Sequence, residues 1–261
     1  MKKLFALILA ALMLFTMAAC GGTADNETAA DSDLAYIKDK GTLIVGITDY
    51  APMDFKDENG EWTGFDAEFA RLAGESLGVA VEFIEIDWDN KFLELKGKTI
   101  DCIWNGMTIT DEALANAAVS NPYVKNAQVV VMAADKLADY ATVESLADLQ
   151  FAAEAGSAGE AAINENGLNC TSVLTQADAL QEVKSGAADA CVIDITMANA
   201  MTGEGTSYAG LGYSLELTTE EYGIACRQGS DLADALNDIM ANLKADGTLQ
   251  GLAEKYELTL A

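Results

Sequence analysis

The chain has 261 residues, half of them apolar, which is enough for one large domain or two modest ones with real cores. Its formal charge is −27, so it lacks the basic patches that nucleic acid and anionic lipid surfaces require. It contains no histidine, which removes the usual general base, the usual zinc ligand and every Ser–His or Cys–His nucleophile.

Such acidity permits a cationic ligand, and more simply keeps an exported protein in solution. Lys2-Lys3 followed by the apolar run Leu4 to Met17 reads as a leader over residues 1–19, too short for a membrane span. Met17-Ala18-Ala19-Cys20 has the small residues before a cysteine of a lipobox. Cys20 is therefore the expected lipidation site (a palmitate-type anchor at the outer face of the cell membrane), with an ordinary secretory leader as the alternative. Residues 20–33 are small, polar and acidic and read as a flexible tether.

Folding is expected from about Leu34. Thr42 to Ile47 is a β-branched strand, followed by a loop through Tyr50 and Pro52 and a turn at Asn59-Gly60. Phe65, Phe69, Leu72, Ala73 and Leu77 share one helical face, and Gly78 stops that helix. Ala80 to Ile86 alternates as a strand, and Trp88 to Leu95 suits a short helix. Ile100 to Trp104 reads as a buried strand, broken by Asn105-Gly106. Thr110 sits at an N-cap position ahead of Asp111 and Glu112, and Asn121-Pro122 ends the segment. Strand, helix, strand, helix, strand is a parallel α/β unit, whose ligands sit beyond the C-terminal strand ends.

The punctuation then repeats. Val124 to Met132 is a second apolar run, Ser145 to Leu149 a short helix, and Phe151 to Glu154 a strand that meets Gly156 and a helix start near Ala158. Ala177 to Val183 is a helix ended by Gly186, and Asp189 to Ile193 a strand that delivers Asp194 at its exit. Asp194 either pairs with a ligand cation or caps the helix that follows; both are physically sound. Leu232 to Leu243 is amphipathic, and Gly247-Thr248-Leu249 opens a last helix to Tyr256. Cys102, Cys191 and Cys226 lie in apolar runs as small core residues, and a Cys170–Cys191 disulfide is open on spacing alone.

Three stretches carry a resemblance. Gly97, Asp101, Gly106-Met107-Thr108-Ile109-Thr110, Glu112 and Ser120-Asn121-Pro122-Tyr123 form the first. Tyr50, Pro52, Gly60 and Gly64-Phe65-Asp66 form the second, and Glu221-Tyr222-Gly223-Ile224-Ala225 with Gly247-Thr248-Leu249 and Lys255-Tyr256 the third. Together they resemble the family-3 bacterial solute-binding proteins, the receptors of polar amino-acid ABC transporters. The resemblance implies an α/β fold of the two-lobed periplasmic-binding-protein type II, with two hinge crossings and a cleft. It implies a first lobe of residues 34–125 plus 223–261 and a second of 126–222. The implied partners are a small amino acid or amine and a membrane permease. The chain is expected to act as a monomer, with no cofactor, no metal and no nucleic acid. A dehydratase on the same scaffold and a sensory module are the competing readings. Candidate ligand contacts are Tyr50, Trp104, Gly106, Met107 and Thr108 from the first lobe, and Glu154, Gly156, Ser157, Ala158 and Asp194 from the second. In the family Asp194 would take the ligand ammonium, and an Arg that clamps its carboxylate aligns with Ala113. With Glu154 and Asp49 also near the expected cleft, the site reads as acidic with no facing cation, which points to weak carboxylate binding or to an amine ligand.

Overall fold

A computed structural model describes residues 32–261; the expected leader, Cys20 and nearly all of the tether lie outside the described residues. In chain order the strands are β1 Thr42–Ile47, β2 Phe55–Lys56, β3 Trp62–Thr63, β4 Ala80–Glu85, β5 Cys102–Ile103, β6 Ala117–Val119 and β7 Val124–Asn126. They continue as β8 Gln128–Ala133, β9 Gln150–Glu154, β10 Asn169–Val173, β11 Ala190–Asp194, β12 Leu211–Glu216, β13 Glu220–Tyr222 and β14 Ala225–Arg227. The helices are α1 Asp33–Lys40, α2 Phe65–Leu77, α3 Lys91–Lys96, α4 Asp111–Asn116, α5 Ala158–Glu165, α6 Gln176–Ser185, α7 Ile195–Met201, α8 Leu232–Ala245 and α9 Thr248–Lys255.

Two five-stranded sheets organise them. The first has the order β4-β1-β5-β14-β6 and the second β10-β9-β11-β8-β12. In each, the leading strands are parallel, as the strand–helix alternation predicts, and the last two are antiparallel to their neighbours, which that alternation does not predict. The predicted apolar run Val124 to Met132 divides at Ala127, because β7 and β8 belong to different sheets. β7 pairs antiparallel with β13, so the chain passes from the first sheet to the second and back along one two-stranded ribbon.

The helix over Phe65–Leu77 forms as its apolar spacing predicts, closed by Gly78 in the left-handed region at φ 77°. Its Phe65 stacks on Tyr123, and its Phe69 meets Trp104 edge-on at 4.7 Å, forming the aromatic core of the first sheet. At the opposite edge Arg227 pairs with Asp33 at 2.9 Å and Asp101 at 3.2 Å, tying α1, β14 and the lead into β5.

Some local expectations change. The strand expected over Ile100–Trp104 keeps ladder pairing only at Cys102–Ile103, since the Asp101 carboxylate turns back to accept from Ile44 N at 2.8 Å. The Trp88–Leu95 helix is a 3-10 turn over Trp88–Asn90 that hands over to α3, and Ser145–Leu149 is a 3-10 turn over Val143–Leu146. Cys170 and Cys191 are free thiols. They sit on β10 and β11, which flank β9, so two strand spacings (about 10 Å) separate them, beyond the roughly 7 Å that a disulfide spans.

Candidate functional site

The C-terminal ends of β1 and β5 face those of β9 and β11 across a cavity of about 330 Å³. The turn after β5, the start of α4 and the Trp88–Phe92 segment supply one wall, and the Gly156–Ala158 turn with Gln176 and Asp194 the other. Nine of the ten predicted ligand contacts line it: Tyr50, Gly106, Met107, Thr108, Glu154, Gly156, Ser157, Ala158 and Asp194.

Trp104 does not. Its side chain is fully buried against Phe69 in the core beneath the site, because it turns to the face that α2 covers. Asp49 is exposed and does not line the cavity. Gly106 is the hinge point of its turn, at φ 55°, and a Cβ there would stand 2.6 Å from the Tyr50 ring. Close approach of ring and backbone therefore requires glycine. The Tyr50 hydroxyl is 2.5 Å from both Thr196 Oγ1 and the Tyr222 hydroxyl, which fixes the ring as a buried wall of the cavity. Ser157 caps α5, its Oγ accepting from Glu160 N at 3.1 Å, while the Glu160 carboxylate accepts from Gly156 N at 2.8 Å.

Asp194 is the best-supported carboxylate of the site. One oxygen accepts from Gln128 Nε2 and the Tyr222 hydroxyl, both at 2.9 Å, and from Asn126 Nδ2; the other accepts from Gln176 Nε2. The Asp194 N–H donates in turn to Gln176 Oε1 at 3.0 Å. α7 does begin at the next residue, but the Asp194 side chain makes no capping bond to it. The capping alternative therefore falls away. Burial, then the Glu220 charge, push its acid up to about 7 against the pull of these donors. Glu220 shares the donors Asn126 and Gln128 and also accepts from the Thr108 hydroxyl at 2.7 Å. Asn126 and Glu220 are partners across the β7–β13 ribbon, so the crossing itself grips the site.

Glu154 is 2% exposed, and its Oε1 has no hydrogen-bond partner among the described residues. Burial first, and the Asp194 charge second, push it up to about 8, with Lys91 opposing. Ala113 lines the wall with a methyl group, its N–H held by Thr110 Oγ1 at 3.1 Å.

Lys91 was missed by sequence reasoning. It is 7% exposed and is the basic side chain of the wall among the described residues. Its ammonium donates to Trp88 O at 3.2 Å and to Gly156 O at 2.9 Å, reaching across the cavity between the two sheets. Burial pulls its pKa below the usual lysine value, with Glu112, Glu154 and Asp89 opposing. One local signal exists: a lysine at the first position of a helix stands against the helix dipole, and such a misplacement marks a lysine held by something else.

The family of bacterial extracellular solute-binding proteins, family 3, matches residues 43–259. The chain is 29% identical to the L-cystine-binding protein TcyJ of Escherichia coli over 250 residues, covering 93% of this chain and 92% of that protein. It is 27% identical to the arginine-binding extracellular protein ArtP of Bacillus subtilis over 266 residues, covering 98% of each. The crystal structure of the ancestral amino acid-binding protein AncCDT-1, a precursor of cyclohexadienyl dehydratase, superposes with a TM-score of 0.79 at 34% identity, over 86% of this chain and 99% of that one.

Proposed function

We propose, for a chain that belongs to the bacterial extracellular solute-binding proteins of family 3, that it captures one polar amino acid in the cavity between its sheets and delivers it to an ABC permease. The observation that carries this reading is Asp194, a buried carboxylate facing the cavity and positioned by four side-chain donors. A cavity of about 330 Å³ is at the small end of ligand sites, fit for one amino acid and too small for a peptide. The ligand ammonium would pair with Asp194, the Gly106 turn and the Thr108 hydroxyl would border it, and Tyr50 would cover it. Glu154, Gly156, Ser157 and Ala158 would form the facing wall. Binding would draw the lobes together about the β7–β13 ribbon, with lobe boundaries at 125/126 and 222/223, a hinge motion that a permease can read. Lipidation at Cys20 and action as a monomer complete the reading.

A dehydratase is the competing function, favoured by one observation: Glu154, raised to about 8, holds a proton at neutral pH and could act as a general acid. Release of water from a cyclohexadienyl acid by the purified protein would support it.

The test is a thermal-shift screen of the full chain in mild detergent against the standard amino acids, cystine and a matched set of carboxylate-free amines. A ligand at a hundred times its Kd stabilises by about 2.7 kcal/mol, a readily visible shift. An amino acid should raise the melting temperature. The shift should shrink as pH falls below about 7, because protonation of Asp194 competes with the ligand cation. No response to any amino acid would refute the proposal, and a response to amines alone would reassign the receptor.

A further inference from the structure

We propose that Lys91 supplies the cation that holds the ligand's carboxylate, in place of a guanidinium at Ala113; this deepens the reading of the cavity as an amino-acid site and rests on it. Lys91 is buried, and no carboxylate oxygen of the described residues lies within 4.0 Å of its ammonium. An ammonium has three donors. Two are spent on the uncharged carbonyl oxygens of Trp88 and Gly156, which leaves one donor free, while the charges of Glu112, Glu154 and Asp89 act on the ammonium only from beyond ion-pair distance. A buried cation with no direct ion pair carries a desolvation cost that an anion arriving at its free donor would offset.

The rest of the wall makes a ligand carboxylate the fitting anion. The other ionisable acids and bases that line the cavity are all acidic, including Glu154 and Asp194, and these suit a ligand's positive groups. A zwitterion placed with its ammonium at Asp194 has, among the described residues, one basic side chain in the cavity wall toward which its carboxylate can turn. Lys91 also lies over the Gly156–Ser157 turn that enters α5, so the partial positive charge of that helix N-terminus adds to its own. The aromatic rings of Trp88 and Phe92, 5.0 and 5.1 Å from the ammonium, fix its direction and exclude water. The Lys91–Gly156 bond joins the two walls, so a carboxylate taken up here is gripped at the point where the walls meet.

The test measures the affinity of each standard L-amino acid and L-cystine, and of the corresponding α-amides, for the full chain and for Lys91→Gln and Lys91→Arg. Wild type should prefer an acid to its amide by about 30-fold or more, Lys91→Gln should bring that ratio near one, and Lys91→Arg should restore most of it. Comparing Glu and Asp with Gln and Asn separates a side-chain carboxylate from the α-carboxylate as the group taken. A ratio that survives in Lys91→Gln overturns the role of Lys91 while leaving the amino-acid site intact. Absence of any binding to wild type overturns the amino-acid reading itself. A merely structural lysine would weaken acid and amide alike and leave the ratio where it was.

Discussion

Asp66 and Asp194 are both buried, and burial raises both acids to about 7. One Asp66 oxygen accepts from Gly106 N at 2.6 Å and from the Tyr123 hydroxyl at 2.8 Å, and the other has no partner among the described residues. It is sealed beneath the site, beside Asp54, whose acid is also raised by burial and by Asp66. Asp194 has both oxygens supplied with donors and still faces the cavity. A perturbed carboxylate is thus not by itself a binding group. Asp66 holds the Gly106 turn from behind, and Asp194 meets what enters in front.

Two changes sharpen that contrast, the larger first. Gly106→Ala places a methyl 2.6 Å from the Tyr50 ring, at a positive φ. It should push Tyr50 from its wall position and weaken ligand binding by roughly 10- to 100-fold in calorimetry, with a smaller loss of melting temperature. An unchanged affinity would mean that the turn and Tyr50 do not border the ligand. The second change concerns pH. The folded-state acids of Asp66 and Asp54 are raised, so their contribution to stability is full at low pH and is lost as pH rises through their folded values, near 7 for Asp66. The ligand-free protein should therefore melt at a lower temperature at about pH 8 than at about pH 5.5. Asp66→Asn should flatten that slope by up to about 1.4 kcal/mol per pH unit, read from melts across the range. An unaltered slope would remove Asp66 from the account.

Much of the cavity wall was legible in the sequence, and for a local reason. Asn105-Gly106 and Gly156 punctuate strands that hand over to helices, and Asp194 stands at a strand exit, so short-range rules place each of them at the C-terminal edge of its own sheet. Trp104 lies just past the end of β5, which is shorter than the expected strand, and its side-chain direction depends on what covers each face; α2 covers that one. The fate of Cys170 and Cys191 depended on strand order, which spacing along the chain does not encode. The acidic, cation-free site read from Ala113 is corrected by Lys91, whose partner Gly156 lies 65 residues away on the other wall. A contact of that range leaves no periodic mark. Likewise the apolar pattern assigns no role to Asn126, Gln128 and Glu220, which meet Asp194 or one another only through the ribbon.

The measurement that bears most directly on the account is calorimetric titration of the best amino acid from the screen into Asp194→Asn and Asp66→Asn side by side with wild type. Loss of the charge that faces the ligand should weaken binding by about 100-fold or more in Asp194→Asn, while Asp66→Asn should stay within about tenfold of wild type. Equal losses in the two variants, or full affinity in Asp194→Asn, would contradict the assignment of the cavity.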